Sequence, residues 1–127
     1  MEYAYKKPVD LNFEAAVAHI RDELAKEGFG VLTEIDVKAT LKKKLDVDYN
    51  DYIILGACNA PFAYQALQAE PDIGLLLPCN VIVYQQADQV YVAAILPTVA
   101  MGVIDNPELQ AIADQVEEKL KKVIDNL

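Results

Sequence analysis

The sequence predicts an α+β protein, because helical and strand patterns alternate along most of the chain and two strands follow each other near its end. Apolar residues recur at helical spacing in two long segments, residues 13–27 and 109–127. Between them lie short runs of alternating or wholly apolar residues, which are typical of strands. The length of 127 residues suits one domain, residues 1–127, with a core that needs no disulfide or metal.

The first half of the chain predicts a strand, a helix, a strand and a helix, in that order. Pro8 ends the first strand, Asn12 caps the first helix, and Gly28 stops that helix. The second helix turns Leu41 and Leu45 inward and its three lysines outward. The predicted ranges are 3–6 and 29–36 for the strands, and 12–27 and 37–45 for the helices.

The second half predicts three strands and two helices. The first of these strands is apolar throughout, as in a central strand that is covered on both faces. Asn59 as a cap and Pro61 in the first turn begin a helix that Pro71 stops, and Asn106 begins the last helix. The strands span residues 52–58, 80–86 and 89–96, and the last two form a hairpin around Ala87 and Asp88.

The distribution of charge argues against several classes of partner. The net charge is -9, and every lysine and arginine lies before Leu45 or after Glu118. The segment from Leu45 to Glu118 holds carboxylates but no cation and no histidine. Nucleic acids and anionic membranes are bound through cations. We therefore expect no nucleic-acid partner and no membrane partner.

The chain shows no targeting or spanning pattern. Its first residues lack the basic and then apolar order of a signal peptide. The longest nearly apolar stretch, residues 90–104, is shorter than a spanning helix and is interrupted by Pro97. We expect a soluble cytoplasmic protein, in which thiols are normally reduced. The hydrophobic fraction of 54% also predicts that a second subunit covers some apolar surface.

A Cys-Asn pair occurs twice, each time where a strand meets a loop. Cys58 and Asn59 follow one apolar strand, and Cys79 and Asn80 precede another. The chain has no other cysteine. The two thiols lie at the same edge of the sheet if these strands are antiparallel, and at opposite edges if they are parallel.

Three segments resemble the ordered signatures of a known family. Residues 28–37 followed by Thr40-Leu41, residues 54–59 followed by Ala66-Leu67, and residues 73–81 are similar to those of the domain-of-unknown-function family numbered 302. The chain resembles this family along nearly its whole length, although Ala60 stands where relatives often have proline. The resemblance implies an antiparallel sheet in a TATA-binding-protein-like β-α-β4-α arrangement, a homodimer, and no established activity. In such a sheet Cys58 and Cys79 lie close together.

The candidate binding site consists of the two Cys-Asn pairs, Cys58, Asn59, Cys79 and Asn80, together with Glu70 between them. The thiols would form a transient, redox-active bond or would be small buried hydrophobes. Two thiolates can hold a soft ion such as Cu(I), but a closed zinc site needs four ligands. No metal and no cofactor is expected. Glu70 would tune a thiol or cap a loop.

Three hypotheses for function remain open. The first is a homodimer that binds a small, mostly apolar ligand, in a pocket near both cysteines that is walled by residues 75–77 and 93–96. The second is a thiol-dependent redox or sulfur-transfer enzyme, with Cys58 as the more nucleophilic thiol because a helix begins beside it. The third is a structural dimer without a ligand. No catalytic residue is assigned.

Overall fold

The structure is a computed structural model that describes residues 2–127. Its strands are β1 Ala4–Val9, β2 Gly30–Asp36, β3 Tyr52–Cys58, β4 Cys79–Gln86 and β5 Gln89–Ile95. They form one antiparallel sheet in the order β1-β5-β4-β3-β2. The predicted α+β class and the antiparallel sheet are therefore confirmed.

The helices connect the strands or cover one face of the sheet. They are α1 Phe13–Lys26, α2 Val37–Leu45, α3 Ala60–Ala69, α4 Pro97–Ala100 and α5 Pro107–Asp125, with 3-10 helices at Pro71–Leu76 and Met101–Val103. The Asn12 side chain accepts a hydrogen bond from the Ala15 N–H at 2.8 Å, as its predicted role as a cap requires. Among residues 2–127, no helix is both long enough and apolar enough to cross a membrane.

Without the short helices α2, α3 and α4, the order along the chain is one strand, helix α1, four strands and helix α5. The likeness to the TATA-binding protein stays a prediction. Helices α1 and α5 pack against the sheet, and the side chains between them form the core. Several are fully buried, namely Ile20, Leu24, Leu55, Val81, Val83, Val92, Leu120 and Ile124.

The opposite face of the sheet is apolar but only partly covered, so the expectation that β3 is buried on both faces is wrong. Along β3, Ile53, Leu55 and Ala57 are buried, whereas Tyr52 and Ile54 remain partly exposed. The difference arises because successive side chains of a strand point to opposite faces. The partly exposed face, called the open face below, carries Tyr52, Ile54, Ile82, Tyr84 and Tyr91.

Two further boundaries differ from the sequence-based expectation. Strand β1 runs through Pro8 to Val9 instead of ending at the proline. Since β1 lies at the edge of the sheet, a missing N–H can face away from the ladder without loss of a hydrogen bond. The short helices after β5 were not predicted, because four-residue helices carry too few residues for a periodic pattern.

Candidate functional site

The two Cys-Asn pairs meet at one edge of the sheet. Strands β3 and β4 are antiparallel neighbours, with Ala57 opposite Cys79 and Gly56 opposite Asn80. Cys58 is the last residue of β3, and Asn59 leads directly into α3. Antiparallel pairing thus brings the end of one strand beside the start of the next, as the resemblance implied.

The two thiols have different surroundings. Cys79 is 7% exposed, whereas Cys58 is half-buried, and both are free. Burial, the larger cause, and charge repulsion from the nearby Cys58 thiolate together raise the pKa of the Cys79 thiol to about 11. Cys79 is therefore a neutral thiol near neutral pH, and Cys58 lies close enough to act on it electrostatically.

Asn59 occupies the cap position of α3 but does not cap it. Its side chain makes no hydrogen bond to the first turn of the helix. Instead the buried amide Nδ2 donates to the carbonyl oxygen of Glu27 at 3.1 Å, which corrects the predicted role. Gly28, with a φ of 84°, lets the chain turn directly beneath this amide. Asn59 thus ties the end of α1 to the junction of β3 and α3.

The remaining predicted residues lie apart from each other. Asn80 is exposed and lies across the β3–β4 ladder from Gly56. Glu70 sits between α3 and the following 3-10 helix, and one of its carboxylate oxygens accepts a hydrogen bond from Asn106 Nδ2 at 3.3 Å. Glu70 lies at the cap position of that 3-10 helix, but its side chain makes no capping hydrogen bond, and it does not line the inner cavity or the outer pocket defined below.

A small cavity, here called the inner cavity, lies between the Cys edge of the sheet, α3 and α5. Its volume is about 30 Å³. Its lining is almost wholly carbon and sulfur and consists of Phe29, Ala57, Cys58, Asn59, Phe62, Ala63, Ala66, Leu77, Pro78, Cys79, Met101, Ile112 and Val116. Both predicted cysteines thus border one space.

A larger space, here called the outer pocket, adjoins the inner cavity. It has a volume of about 300 Å³. The two spaces share the side chains that separate them, Leu77, Pro78, Cys79 and Met101. The rest of the outer pocket is formed by Leu75, Leu76, Asn80, Ile95, Pro97 and Ala100. Residues 75–77 thus form a wall, as predicted, whereas Ala93 and Ala94 line a separate shallow depression on the sheet.

Among residues 2–127, no imidazole and no carboxylate lines the inner cavity or the outer pocket. The only histidine, His19, lies on α1, where its Nε2 is 3.5 Å from a carboxylate oxygen of Glu23. Among residues 2–127, no three histidine, cysteine, aspartate or glutamate side chains lie together as a possible metal site. Within residues 2–127, the lining of neither space therefore contains a general base that could deprotonate a cysteine nucleophile.

Sequence reasoning missed Met101, which borders both spaces and is 4% exposed. It lies in the short helical segment after Pro97, which brings it back to the Cys edge. The apolar run over residues 90–104 indicates that this segment is buried, but it does not indicate that Met101 borders the site.

The family model described as "Domain of unknown function DUF302" matches residues 5–127. The chain is also similar to a solved structure, the crystal structure of an uncharacterized conserved protein DUF302 from Bacillus stearothermophilus. The two are 28% identical, with 98% of each chain covered and a TM-score of 0.93. No curated protein matches the sequence. The chain belongs to the DUF302 family, and the resemblance of its three segments is confirmed.

Proposed function

We propose that this member of the family binds a small, mostly apolar ligand in the outer pocket, with Cys79 and Met101 at the boundary with the inner cavity. The observation that carries the proposal is the size and lining of this pocket. Its volume of about 300 Å³ falls at the lower end of ligand pockets in proteins. Leucine, isoleucine and proline side chains form most of its surface.

The polar groups of the outer pocket are few, and this favours an apolar ligand. Of the residues that the structure describes, Asn80 is the only one that lines the pocket with an amide side chain, and it is exposed at the rim. A ligand with one polar end would place that end toward Asn80 and its apolar body against the leucines. Leu75, which is 88% exposed, would be covered by such a ligand.

The test uses N-phenyl-1-naphthylamine, an uncharged apolar dye that fluoresces when it leaves water. We expect saturable binding of one dye per chain. Ala100→Phe places a ring in the half-buried wall of the pocket and should weaken binding at least about tenfold, the loss expected when bulk replaces ligand volume. Ala18→Phe, which adds the same ring on the exposed side of α1, is the matched control.

Two results would contradict the ligand proposal. One is fluorescence that rises linearly with dye and never saturates. The other is binding by Ala100→Phe that equals binding by Ala18→Phe, because the dye would then report another surface.

We also propose that the open face packs against a second copy of the chain. Tyr84 stacks between Tyr52 and Tyr91, with ring centroids 5.3 and 5.4 Å apart, and Ile54 and Ile82 lie beside them. Contiguous apolar side chains that remain partly exposed favour an interface. The two-fold association that the family resemblance implies would place the same face on both partners.

Sedimentation at micromolar concentration tests this association. The wild type should sediment as a dimer, and Ile82→Asp should sediment as a monomer because it places a charge in the apolar face. Val103→Asp, at a site that is 81% exposed on another part of the surface, should remain a dimer. A monomeric wild type, or a dimeric Ile82→Asp, would contradict the proposal.

A further inference from the structure

Three sulfur atoms belong to residues that border the inner cavity. Cys58 lines it from the end of β3, Cys79 from the start of β4, and Met101 from the segment after α4. Cys79 and Met101 are 7% and 4% exposed. Apart from Met1, these are all of the sulfur-containing residues in the chain. Elements from distant parts of the sequence therefore bring three soft ligands to one space.

The size of the inner cavity decides what class of ligand it can take. About 30 Å³ is roughly the space that one water molecule occupies in the liquid. Organic ligands need about ten times this volume, so the inner cavity has room for a single ion or water. Cys58 is half-buried, so part of this residue is reachable from solvent.

The chemistry of the lining disfavours water and hard cations. A buried water needs two to four polar partners. Among the residues that the structure describes, Asn59 supplies the only side-chain amide of the lining, and its Nδ2 donates to the Glu27 carbonyl oxygen. Hard cations prefer oxygen ligands, and within residues 2–127 no carboxylate lines the cavity. Thiolate and thioether sulfur instead select Cu(I).

We propose that Cys58, Cys79 and Met101 bind one Cu(I) ion in the inner cavity. Two thiol protons leave for solvent as two Cu–S(thiolate) bonds form, and the Met101 thioether donates a lone pair to the same ion. Copper and sulfur keep their oxidation states, so no oxidant or reductant takes part. The sequence-based expectation of no metal did not include Met101, which supplies the third ligand.

The test is an oxygen-free competition for Cu(I) between the wild-type protein and bicinchoninate. We expect one Cu(I) per chain. Cys58→Ser and Cys79→Ser should each lower the affinity for Cu(I) at least about 100-fold. Met101→Leu, which keeps the apolar volume, should lower it about tenfold. Ala18→Phe should bind Cu(I) as the wild type does.

X-ray absorption at the copper edge of the wild-type complex serves as a second measurement that needs no variant to fold. It should count three sulfur neighbours and no nitrogen or oxygen neighbour. The proposal is overturned if the wild type takes no Cu(I) from bicinchoninate, if Met101→Leu binds as tightly as the wild type, or if the edge shows oxygen or nitrogen ligands. Dye binding in the outer pocket is a separate readout, so each proposal can fail alone.

Discussion

Cys58-Asn59 and Cys79-Asn80 are the same dipeptide at the same edge of the sheet, yet they bury opposite members. In the first pair Asn59 is 9% exposed and Cys58 is half-buried, whereas in the second Cys79 is 7% exposed and Asn80 is exposed. The register between β3 and β4 explains this inversion. Ala57 lies opposite Cys79, and successive side chains of a strand point to opposite faces of the sheet. One pair thus supplies a buried amide and a reachable thiol, and the other a buried thiol and a rim amide.

Gly56 should show the largest effect on this arrangement. A Cβ at this position would overlap Thr33 Oγ1 and lie 2.7 Å from Pro78 Cγ. Because the proline ring cannot rotate away, Gly56→Ala should lower the free energy of unfolding by about 3 kcal/mol, measured by urea denaturation. Gly74→Ala is the control, since a Cβ there meets nothing within 4 Å. Equal stability of the two variants would show that the junction of β3, β2 and Pro78 is looser than described.

Cys79 should make stability depend on pH in the alkaline range. Its pKa is raised from 9.0 to about 11, mainly by burial and also by the nearby Cys58, so the folded state keeps the proton that the unfolded state loses. The contribution to stability is complete below pH 9 and is lost as pH rises through 11. The loss is on the order of 2 to 3 kcal/mol. Cys79→Ala should lack this loss. Tyr52 titrates in both proteins, so the difference between their pH profiles isolates the thiol.

Cys58→Ala is the matched control for that profile. The half-buried Cys58 contributes only the smaller, repulsive part of the shift at Cys79, so its removal should leave most of the alkaline loss in place. If Cys79→Ala and the wild type lost stability in parallel between pH 9 and 11, Cys79 would not be the buried residue of the Cys79-Asn80 pair.

The two asparagines should differ by a smaller amount. Asn59→Ala removes the buried donor to the Glu27 carbonyl oxygen and should cost about 2 kcal/mol in unfolding free energy. Asn80→Ala changes an exposed rim side chain and should alter it by less than about 0.5 kcal/mol. Thermal unfolding of both variants measures the contrast. A larger cost at Asn80 would reverse the assignment of buried and exposed amides.

Much of the fold could be predicted from local patterns, and the inversion of the two pairs could not. The apolar period of α5 and the turn at Ala87 and Asp88 are local, and both were found at the predicted places. Which member of each Cys-Asn pair is buried depends on the register between β3 and β4. Register is a property of two strands together, and the dipeptide itself is identical in both.

The candidate site was predicted in part for the same reason. The edge where Cys58 and Cys79 meet follows from antiparallel pairing, which the family resemblance implied. Met101 reaches that edge through tertiary packing of a short segment without periodicity. Asn59 makes its hydrogen bond to Glu27, 32 residues away, instead of to the adjacent helix. Such contacts between distant segments leave no local pattern.

Native-state alkylation of single-thiol variants tests most directly that one thiol is reachable and the other buried beside the same cavity. With iodoacetamide at neutral pH, Cys58 in Cys79→Ser should react readily. Cys79 in Cys58→Ser should react much more slowly, because burial both raises the pKa of its thiol and shields it from the reagent. A low concentration of urea should accelerate the alkylation of Cys79 only, because the reagent reaches this thiol only after local opening of the structure. Equal rates for the two thiols, or a faster Cys79, would contradict the account.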